Sequence, residues 1–320
     1  MKNSVLYYHE MSSPSRKVRI AILEKQIASI ELVSVDIIAG EQFQDWFLDL
    51  NPKGEVPVFV HYDDEDKQTV VTESTDIMKF IDAKYEGQPV LFNESSSWES
   101  LQSSLDTLGT FALTWGVFSH YQSLSEYTKV IRYPYSKFIK FHSLVKRRMF
   151  VEKPGLLLQV SERMGPSHPA HSALRAKADA LKSQTSLFYD PSEFENKVLR
   201  PLENILDHVE RDILSKEDRL GPFLCGPGFS GLDISLTALL FRLYQLGLEE
   251  YAWGSRPNLS VYYNLASTRD SVSQATQNER NHGNEAYWIS DGNCADTAGY
   301  VGLLGVLALS AVYIFKKLRK

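Results

Sequence analysis

The spacing of apolar residues changes once along this chain, and the change separates two kinds of structure. Up to about residue 86, short runs with a period of two alternate with segments of helical period. After a polar stretch, the helical period continues almost to residue 275. A chain of 320 residues is long enough for two packed domains, each with its own core. We expect an α+β domain over 1–86, a linker over 87–97 and a helical domain over 98–275.

Seven short elements are predicted within the first 85 residues, and their order is informative. Strands are expected at 5–8, 31–36, 58–60 and 69–71, the last two joined as a hairpin by the acidic turn 63–66. Helices are expected at 17–24, 42–50 and 74–85. The order strand-helix-strand-helix-strand-strand-helix is that of a thioredoxin-like domain.

The second part is predicted to be helical around one irregular insertion. Long apolar-faced helices are expected at 98–123, 191–215 and 230–247. Ser230 and Asp233 open the third helix in a pattern that resembles a capping box, with Asp in place of Glu. Residues 125–190 contain helix breakers and basic residues and are interpreted as an insertion with local helices.

The C-terminus carries the longest stretch without charge. Residues 298–315 form an 18-residue apolar segment that, as a helix, would be about 27 Å long, close to the ~30 Å hydrocarbon core of a bilayer. Four cations follow, Lys316, Lys317, Arg319 and Lys320. We predict a flexible stalk over 276–296 and a single transmembrane anchor over 297–320, against the alternative of a buried core helix.

The overall composition excludes several classes of partner. Lys and Arg (34) against Asp and Glu (40) give a net charge of −6, so no nucleic-acid partner is expected. Cys225 and Cys294 are too few for a disulfide framework. His168 and His171 have no acid or cysteine at metal-ligand spacing, so no metal site is expected. The first residues contain no long apolar run, and we expect neither a signal peptide nor a presequence.

Pro57 lies directly before a predicted strand, in the segment Asn-Pro-Lys-Gly-Glu-Val-Pro-Val at 51–58. Proline cannot donate to a strand ladder, so it can simply begin the strand in the trans form. In a thioredoxin-like fold, a cis bond between Val56 and Pro57 exposes the backbone N–H and C=O of Val56 to a ligand. This segment alone does not decide between the cis and the trans form.

Glu73 and Ser74 begin the third helix, sixteen residues after Pro57. A carboxylate accepts hydrogen bonds from an α-ammonium group, while a hydroxyl and helix N–H groups bind an α-carboxylate. The γ-glutamyl end of glutathione carries both groups. An isolated Glu-Ser pair is more simply a helix cap beside a solvated acid, but the spacing from Val56 and Pro57 favours the glutathione interpretation.

Three serines, Ser12, Ser13 and Ser15, surround the start of the first helix, whose dipole favours an anion. A hydroxyl directed at a thiol lowers the thiol pKa from about 8.5 towards neutrality and so generates the thiolate nucleophile. The sulfur would belong to the ligand, because no protein cysteine is near in sequence. The serines can also simply cap the helix.

Together these motifs resemble the serine-type classes (theta, delta and zeta) of the glutathione transferase superfamily, over about residues 4–125 and 195–270. The resemblance implies a thioredoxin-like domain followed by an all-α transferase domain, with glutathione as substrate or ligand. It implies that Ser12 is catalytic, and that Gly54 stands where those classes often place a basic side chain. The glutathione-binding residues it implies are Gln42, Lys53, Val56, Pro57, Glu73 and Ser74.

The insertion at 125–190, the segment 253–263 and the apolar C-terminus are similar to the family of ganglioside-induced differentiation-associated protein 1. That resemblance implies a tail-anchored protein of the mitochondrial outer membrane, on its cytosolic face, with a role in mitochondrial shape and fission or in redox homeostasis. The endoplasmic reticulum and the peroxisomal membrane are alternative locations.

Three functions follow as hypotheses. The first is a membrane-held protein that binds glutathione; the second is an active transferase that conjugates glutathione to small electrophiles. The third, an interaction scaffold with a vestigial site, is disfavoured by the intact set Ser12, Val56, Pro57, Glu73 and Ser74. The electrophile cannot be named from the sequence, and a homodimer is as open as a monomer.

Overall fold

A four-stranded sheet organises the first part of the chain. The structure is a computed structural model that describes residues 3–87, 89–92, 98–128, 130–132, 134–139, 148–281 and 287–288. The strand order is β2-β1-β3-β4, with β1 and β2 parallel and the other neighbours antiparallel. Val58 pairs with Thr72, so the residues that precede β3 lie opposite those that follow β4. The strands are β1 Ser4–Tyr8, β2 Ile30–Ser34, β3 Val58–Tyr62 and β4 Gln68–Thr72.

Helices cover both faces of this sheet. The first helix, α1 (Ser13–Glu24), packs beside α3 (Ser74–Lys84), and their apolar residues join a core that continues into the second domain. On the opposite face, Phe47 of α2 (Asp45–Leu50) packs against the strand residues Val58 and Val60. A short 3-10 turn, Glu41–Phe43, precedes α2. The prediction of a thioredoxin-like domain is confirmed.

The second domain is almost entirely helical, as predicted. The expected helix at 98–123 is divided into α4 and α5, because Leu108 and Gly109 are both extended. Two-residue strands, β5 (Val130–Ile131) and β6 (Tyr287–Trp288), form a separate antiparallel pair. The helices are α4 Glu99–Thr107, α5 Thr110–His120, α6 Ser136–Ile139, α7 Lys153–Met164, α8 Pro169–Ser183, α9 Pro191–Phe194, α10 Arg200–His208, α11 Gly231–Gln245, α12 Glu249–Trp253, α13 Pro257–Ser267, α14 Asp270–Ala275 and α15 Gln277–Asn281.

Irregular helical turns connect several of these helices. Wider π-helical turns at Glu195–Leu199 and Val209–Leu214 join α9 and α10 into one continuous helical run over 191–214. A π-helical turn, Arg148–Glu152, leads into α7, and a 3-10 turn, Thr185–Phe188, follows α8. The predicted capping box is confirmed at the start of α11, where Ser230 and Asp233 cap each other's backbone N–H groups.

The predicted insertion contains two antiparallel helices, α7 and α8, which we call the inserted hairpin. The hairpin packs against the thioredoxin-like domain through a small apolar cluster in which Leu157 and Leu174 contact the side of the domain that carries Phe43 and Leu48. Polar contacts reinforce the packing: Arg163 donates to the Phe43 carbonyl (2.6 Å) and pairs with Asp45 (2.9 Å). The hairpin therefore forms one wall beside the segment that follows α2.

Helix α1 lies between the sheet and the helical domain, and two of its buried charged residues are paired there. Lys17 pairs with Asp106 at 2.7 Å. Glu24, near the end of α1, accepts two hydrogen bonds of 2.8 Å from Arg269 and one from Ser271. Burial of a charge is costly unless it is paired, so these contacts tie α1 to the helical domain in a single position.

The predicted fold class requires one correction, which concerns the transmembrane helix. No helix in the described part of the chain is both long and apolar enough to cross a bilayer. The run 191–214 is long but carries nine charged side chains, and α8 and α11, with 15 residues each, span only about 22 Å. The segment predicted to span the membrane, 298–315, lies outside the described residues.

Candidate functional site

The first turn of α1 begins at Ser12. Its hydroxyl accepts a hydrogen bond from the Ser15 N–H (3.2 Å) and so caps the helix. Pro14 favours this start because its φ is suited to the first turn and it has no N–H to satisfy. The Ser12 hydroxyl also lies 3.5 Å from the Val56 carbonyl, to which it donates a long hydrogen bond. One side chain therefore both caps α1 and contacts the segment that precedes β3.

The peptide bond between Val56 and Pro57 is cis, which is one of the two alternatives that the sequence left open. Pro57 is buried at the beginning of β3, while Val56 is partly exposed. Because Val58 pairs with Thr72, Val56 and Pro57 lie opposite Glu73 and Ser74 at the same end of the β3–β4 hairpin. Because Ser12, 44 residues before Val56, also contacts it, the first turn of α1 meets the two ends of the hairpin here.

Glu73 precedes α3 with φ +66, a left-handed backbone conformation that side chains other than glycine rarely adopt. Such a residue costs on the order of 1–3 kcal/mol and is often found at functional sites. The carboxylate of Glu73 is half exposed, and Ser74, the first residue of α3, is largely buried. The α3 N-terminus therefore presents a carboxylate next to helix N–H groups.

Lys53 and Glu73 were predicted to bind opposite ends of glutathione, but they form an ion pair with each other. The Lys53 amine lies 2.6 Å from the Glu73 carboxylate, and this hydrogen bond raises the pKa of Lys53. Both side chains are more than half exposed, so the pair is worth only about 0–1 kcal/mol. A ligand charge can displace it at little cost.

Gln42 points into the protein. The Gln42 side chain is largely buried, and its amide nitrogen donates to the Ile37 carbonyl (3.3 Å). Its amide oxygen has no hydrogen-bond partner in the described part of the chain. Gly54 has φ +57, and a Cβ there would lie 2.8 Å from the Phe43 ring. A basic side chain at residue 54 is therefore excluded by both backbone conformation and space.

Several residues around this site were not singled out from the sequence. Lys177 of the inserted hairpin donates to the Lys53 carbonyl (3.0 Å) and pairs with Glu55 (2.7 Å). Lys153, at the start of the same hairpin, lies 5.4 Å from the centre of the Phe111 ring. Burial and the charge of Lys177 lower the pKa of Lys153 to about 7, with Glu55 opposing this shift. No local motif marks these lysines; only the packing of the hairpin brings them here.

Asp106 forms a second polar cluster, next to the α3 N-terminus. Its carboxylate binds the Lys17 amine (2.7 Å), the Thr75 hydroxyl (2.9 Å) and the Gln102 amide (3.0 Å). Burial alone would raise the pKa of Asp106, but the charge of Lys17 and these hydrogen bonds hold it below its usual range. The cluster joins α1, α3 and α4, and so fixes the start of α3 relative to α1.

The turn before Ser12 is also held in place. The Met11 carbonyl accepts hydrogen bonds from Arg242 (2.6 Å) and from the Tyr135 hydroxyl (3.2 Å). On the other side, the Met11 N–H donates to Nδ1 of His9 (3.1 Å), whose pKa is lowered by burial, with Asp36 and Glu10 opposing. The helical domain therefore positions the residue that precedes Ser12.

Comparison with known proteins agrees with this architecture. The glutathione S-transferase N-terminal domain family matches residues 6–89. A human protein, ganglioside-induced differentiation-associated protein 1-like 1, is 27% identical over 281 residues, which are 83% of this chain and 71% of the relative. The chain is therefore similar to glutathione transferases in its first domain and, over most of its length, to this human protein.

Two plant transferases extend the comparison within the superfamily. Glutathione S-transferase TCHQD of Arabidopsis thaliana is 27% identical over 267 residues, 83% of this chain and 86% of the relative. The zeta-class glutathione S-transferase of Euphorbia esula is 41% identical over 86 residues, 27% of this chain and 36% of the relative. Within the described residues of this transferase-like protein, no group of three or more His, Cys, Asp or Glu side chains could hold a metal ion.

Proposed function

We propose that this transferase-like protein binds glutathione where the first turn of α1, the segment before β3 and the start of α3 meet. The observation that carries the proposal is this convergence. Ser12 contacts the Val56 carbonyl at 3.5 Å, and the pairing of Val58 with Thr72 puts Glu73 and Ser74 opposite Val56 and Pro57.

Each part of glutathione has a partner of suitable chemistry in this arrangement. The Glu73 carboxylate accepts from the α-ammonium of the γ-glutamyl group, and Ser74 with the N-terminal N–H groups of α3 binds its α-carboxylate. The backbone of Val56 pairs with the backbone of the cysteinyl residue, which places the thiol towards Ser12. Lys53 is the only predicted cation for the glycyl end, and its amine is shared with Glu73.

The proposal predicts that Glu73→Ala abolishes most of the affinity for glutathione. The ligand ammonium loses its charged partner, which is worth roughly 1.5–3 kcal/mol, or more than a tenfold loss of affinity. Because the Glu73 side chain is half exposed, the variant should fold normally. Calorimetric titration of the full chain with glutathione gives the affinity, and thermal unfolding checks the fold.

The matched control is Glu65→Ala, which removes an exposed carboxylate from the β3–β4 turn. It should leave the affinity unchanged. Equal affinities of the wild type and the Glu73→Ala variant would show that the ligand is placed wrongly, and an absence of binding by the wild type would refute the proposed function.

A second candidate function is glutathione conjugation, and the position of the Ser12 hydroxyl favours it. In such a reaction the ligand thiolate forms a carbon–sulfur bond with an electrophile. In a substitution the displaced electron pair departs with the leaving group; in an addition the π pair moves to a neighbouring atom, which then takes a proton. The Ser12 hydroxyl, at the start of α1 and next to Val56, is placed to donate a hydrogen bond to that thiolate.

Ser12→Ala is expected to have two effects. Loss of the cap destabilises the protein by about 1 kcal/mol. Loss of the hydroxyl raises the pKa of the bound thiol while the affinity for glutathione changes little. Ultraviolet absorbance of the thiolate against pH measures the second effect. Ser12→Thr retains a hydroxyl and should restore both properties; an unchanged thiol pKa in Ser12→Ala would rule out the activating role.

The location at the mitochondrial outer membrane and a part in mitochondrial shape stay predictions from the resemblance to the family of ganglioside-induced differentiation-associated protein 1. Fluorescence microscopy of the tagged full chain against mitochondrial, reticular and peroxisomal markers tests the location. A diffuse distribution would leave the glutathione proposal intact and remove the support for a role in fission.

A further inference from the structure

Lys153 differs from the other lysines around the glutathione site. Lys53 pairs with Glu73 at 2.6 Å and Lys177 pairs with Glu55 at 2.7 Å. Lys153 makes no ion pair with any carboxylate in the described part of the chain; its amine lies over the Phe111 ring, 5.4 Å from the ring centre. Of these three lysines, Lys153 is therefore the one without a glutamate partner among the described residues.

The position of Lys153 is set by the inserted hairpin. Lys177, on the second helix of the hairpin, donates a hydrogen bond to the Lys53 carbonyl. The hairpin is therefore in contact with the segment 53–56. The charges of both Lys177 and Glu55 act on the Lys153 amine. Lys153 therefore lies over Phe111 of α5 and on the hairpin that contacts this segment through Lys177.

The thioredoxin-like domain cannot supply a second cation here by itself. Gly54 can carry no side chain, because its Cβ would lie 2.8 Å from the Phe43 ring and its φ is +57. Gln42 is turned into the protein, so Lys53, whose exposed pair with Glu73 a ligand charge can displace, is the one cation predicted there. A second cation for a ligand carboxylate at this end of the site would come from the hairpin.

We infer that Lys153 binds a ligand carboxylate at this junction, and that the glycyl carboxylate of glutathione is its source. The identity of the ligand rests on the proposed function. The ligand carboxylate pairs with Lys153 in the way that Glu73 pairs with Lys53 and Glu55 pairs with Lys177. The inserted hairpin thereby takes part in ligand binding as well as in packing.

A bound carboxylate also changes the protonation of Lys153. The groups that act on this amine are Lys177, from the second helix of the hairpin, and Glu55, from the segment before β3; the Phe111 face of α5 carries no titratable group. Near neutral pH the free amine is partly unprotonated, and an arriving carboxylate favours the ammonium form. Binding therefore takes up protons.

The test uses one variant and two ligands. Lys153→Met removes the charge while keeping an unbranched apolar side chain of similar length. Calorimetric titration of the full chain compares glutathione with its glycyl ethyl ester, which lacks the charge of the glycyl carboxylate but keeps the γ-glutamyl group. We expect Lys153→Met to bind glutathione about tenfold more weakly than the wild type and the ester equally well. Equal losses for both ligands, or no loss for either, would overturn the inference.

The control variant is Lys182→Met, which removes a half-exposed lysine from the outer part of the same hairpin. Lys182→Met should change neither the affinity for glutathione nor that for its glycyl ethyl ester. A loss with Lys182→Met equal to that with Lys153→Met would mean that the overall charge of the hairpin acts, and not Lys153.

A second measurement separates this inference from the proposed function. N-acetylglycine, a small carboxylate without the γ-glutamyl group, should slow the acylation of Lys153 severalfold relative to Lys182, as read by peptide mass spectrometry. Protection without any glutathione binding would refute the proposed function but support a carboxylate position at Lys153. An absence of protection together with an absence of binding would overturn both.

A further pair of ligands identifies the source of the carboxylate. A chloronitrobenzoate carries its carboxylate on an aromatic electrophile, and its methyl ester does not. Should Lys153→Met weaken binding of the acid but not of its ester, while glutathione affinity stays unchanged, the glycyl assignment would be wrong and the carboxylate would belong to the second ligand.

Discussion

Gly247→Ala is expected to destabilise the protein by about 3 kcal/mol or more. Gly247 has φ +71, where an alanine is strained, and an added Cβ would lie 1.7 Å from the carbonyl oxygen of Val130. The β5 backbone cannot easily move away, because Val130 pairs with β6 and the Arg132 N–H donates to Gln245 at 2.8 Å. Urea unfolding followed by circular dichroism measures the change.

Gly155→Ala is the matched control for this prediction. Gly155 lies in α7 with a normal helical φ, and no heavy atom lies within 4 Å of the added Cβ. The greater helix propensity of alanine should stabilise the protein by about 0.5–1 kcal/mol. The two variants should therefore shift the unfolding midpoint in opposite directions, and shifts of the same sign and size would contradict the argument.

Asp233→Ala is expected to lower the free energy of unfolding by about 3 kcal/mol, as Gly247→Ala does. The buried Asp233 carboxylate accepts from the Leu224 and Ser230 N–H groups, each at 2.9 Å, and from the Tyr262 hydroxyl at 2.9 Å. Alanine leaves these three donors without that partner and also removes half of the capping box. Thermal unfolding of the full chain gives the size of the effect.

Two substitutions separate the contributions in this cluster. Ser230→Ala removes the cap to the Asp233 N–H and the hydrogen bond that its hydroxyl donates to the Asp233 carboxylate, and should cost about 1–2 kcal/mol. Asp212→Ala removes an exposed carboxylate whose partner among the described residues is His208, and it should change the stability by less than about 0.5 kcal/mol. If Asp233→Ala costs no more than Ser230→Ala, the carboxylate contributes nothing beyond the cap.

The fold of the first domain is predictable because its signals are local. Each strand and helix of the thioredoxin-like domain is marked by its own period, and the elements at Val58 and Thr72 are joined by a short acidic turn. The helix boundaries of the helical domain are harder to predict, because a continuous helical period does not show where the backbone bends. The break between α4 and α5 at Leu108 and Gly109 leaves the apolar pattern uninterrupted.

Local sequence motifs mark some residues of the candidate site, whereas the positions of others depend on tertiary packing. Ser12, Pro57 and Glu73 lie at element boundaries that the sequence marks. The inward direction of Gln42 depends on the tight turn after Gly40, which has φ +83. Lys153 reaches the site only because a hairpin 100 residues later packs on the first domain.

The two hydrogen bonds from Arg269 to Glu24 have a consequence for the order in which the protein is made. Helix α1 is among the first segments to leave the ribosome, yet its buried carboxylate finds its partners only at residues 269 and 271. At 5–20 residues per second, roughly 12–50 s pass between the synthesis of the two. The nascent thioredoxin-like domain therefore emerges with one flank of its first helix unfinished, and it needs protection from premature association until the last helices arrive.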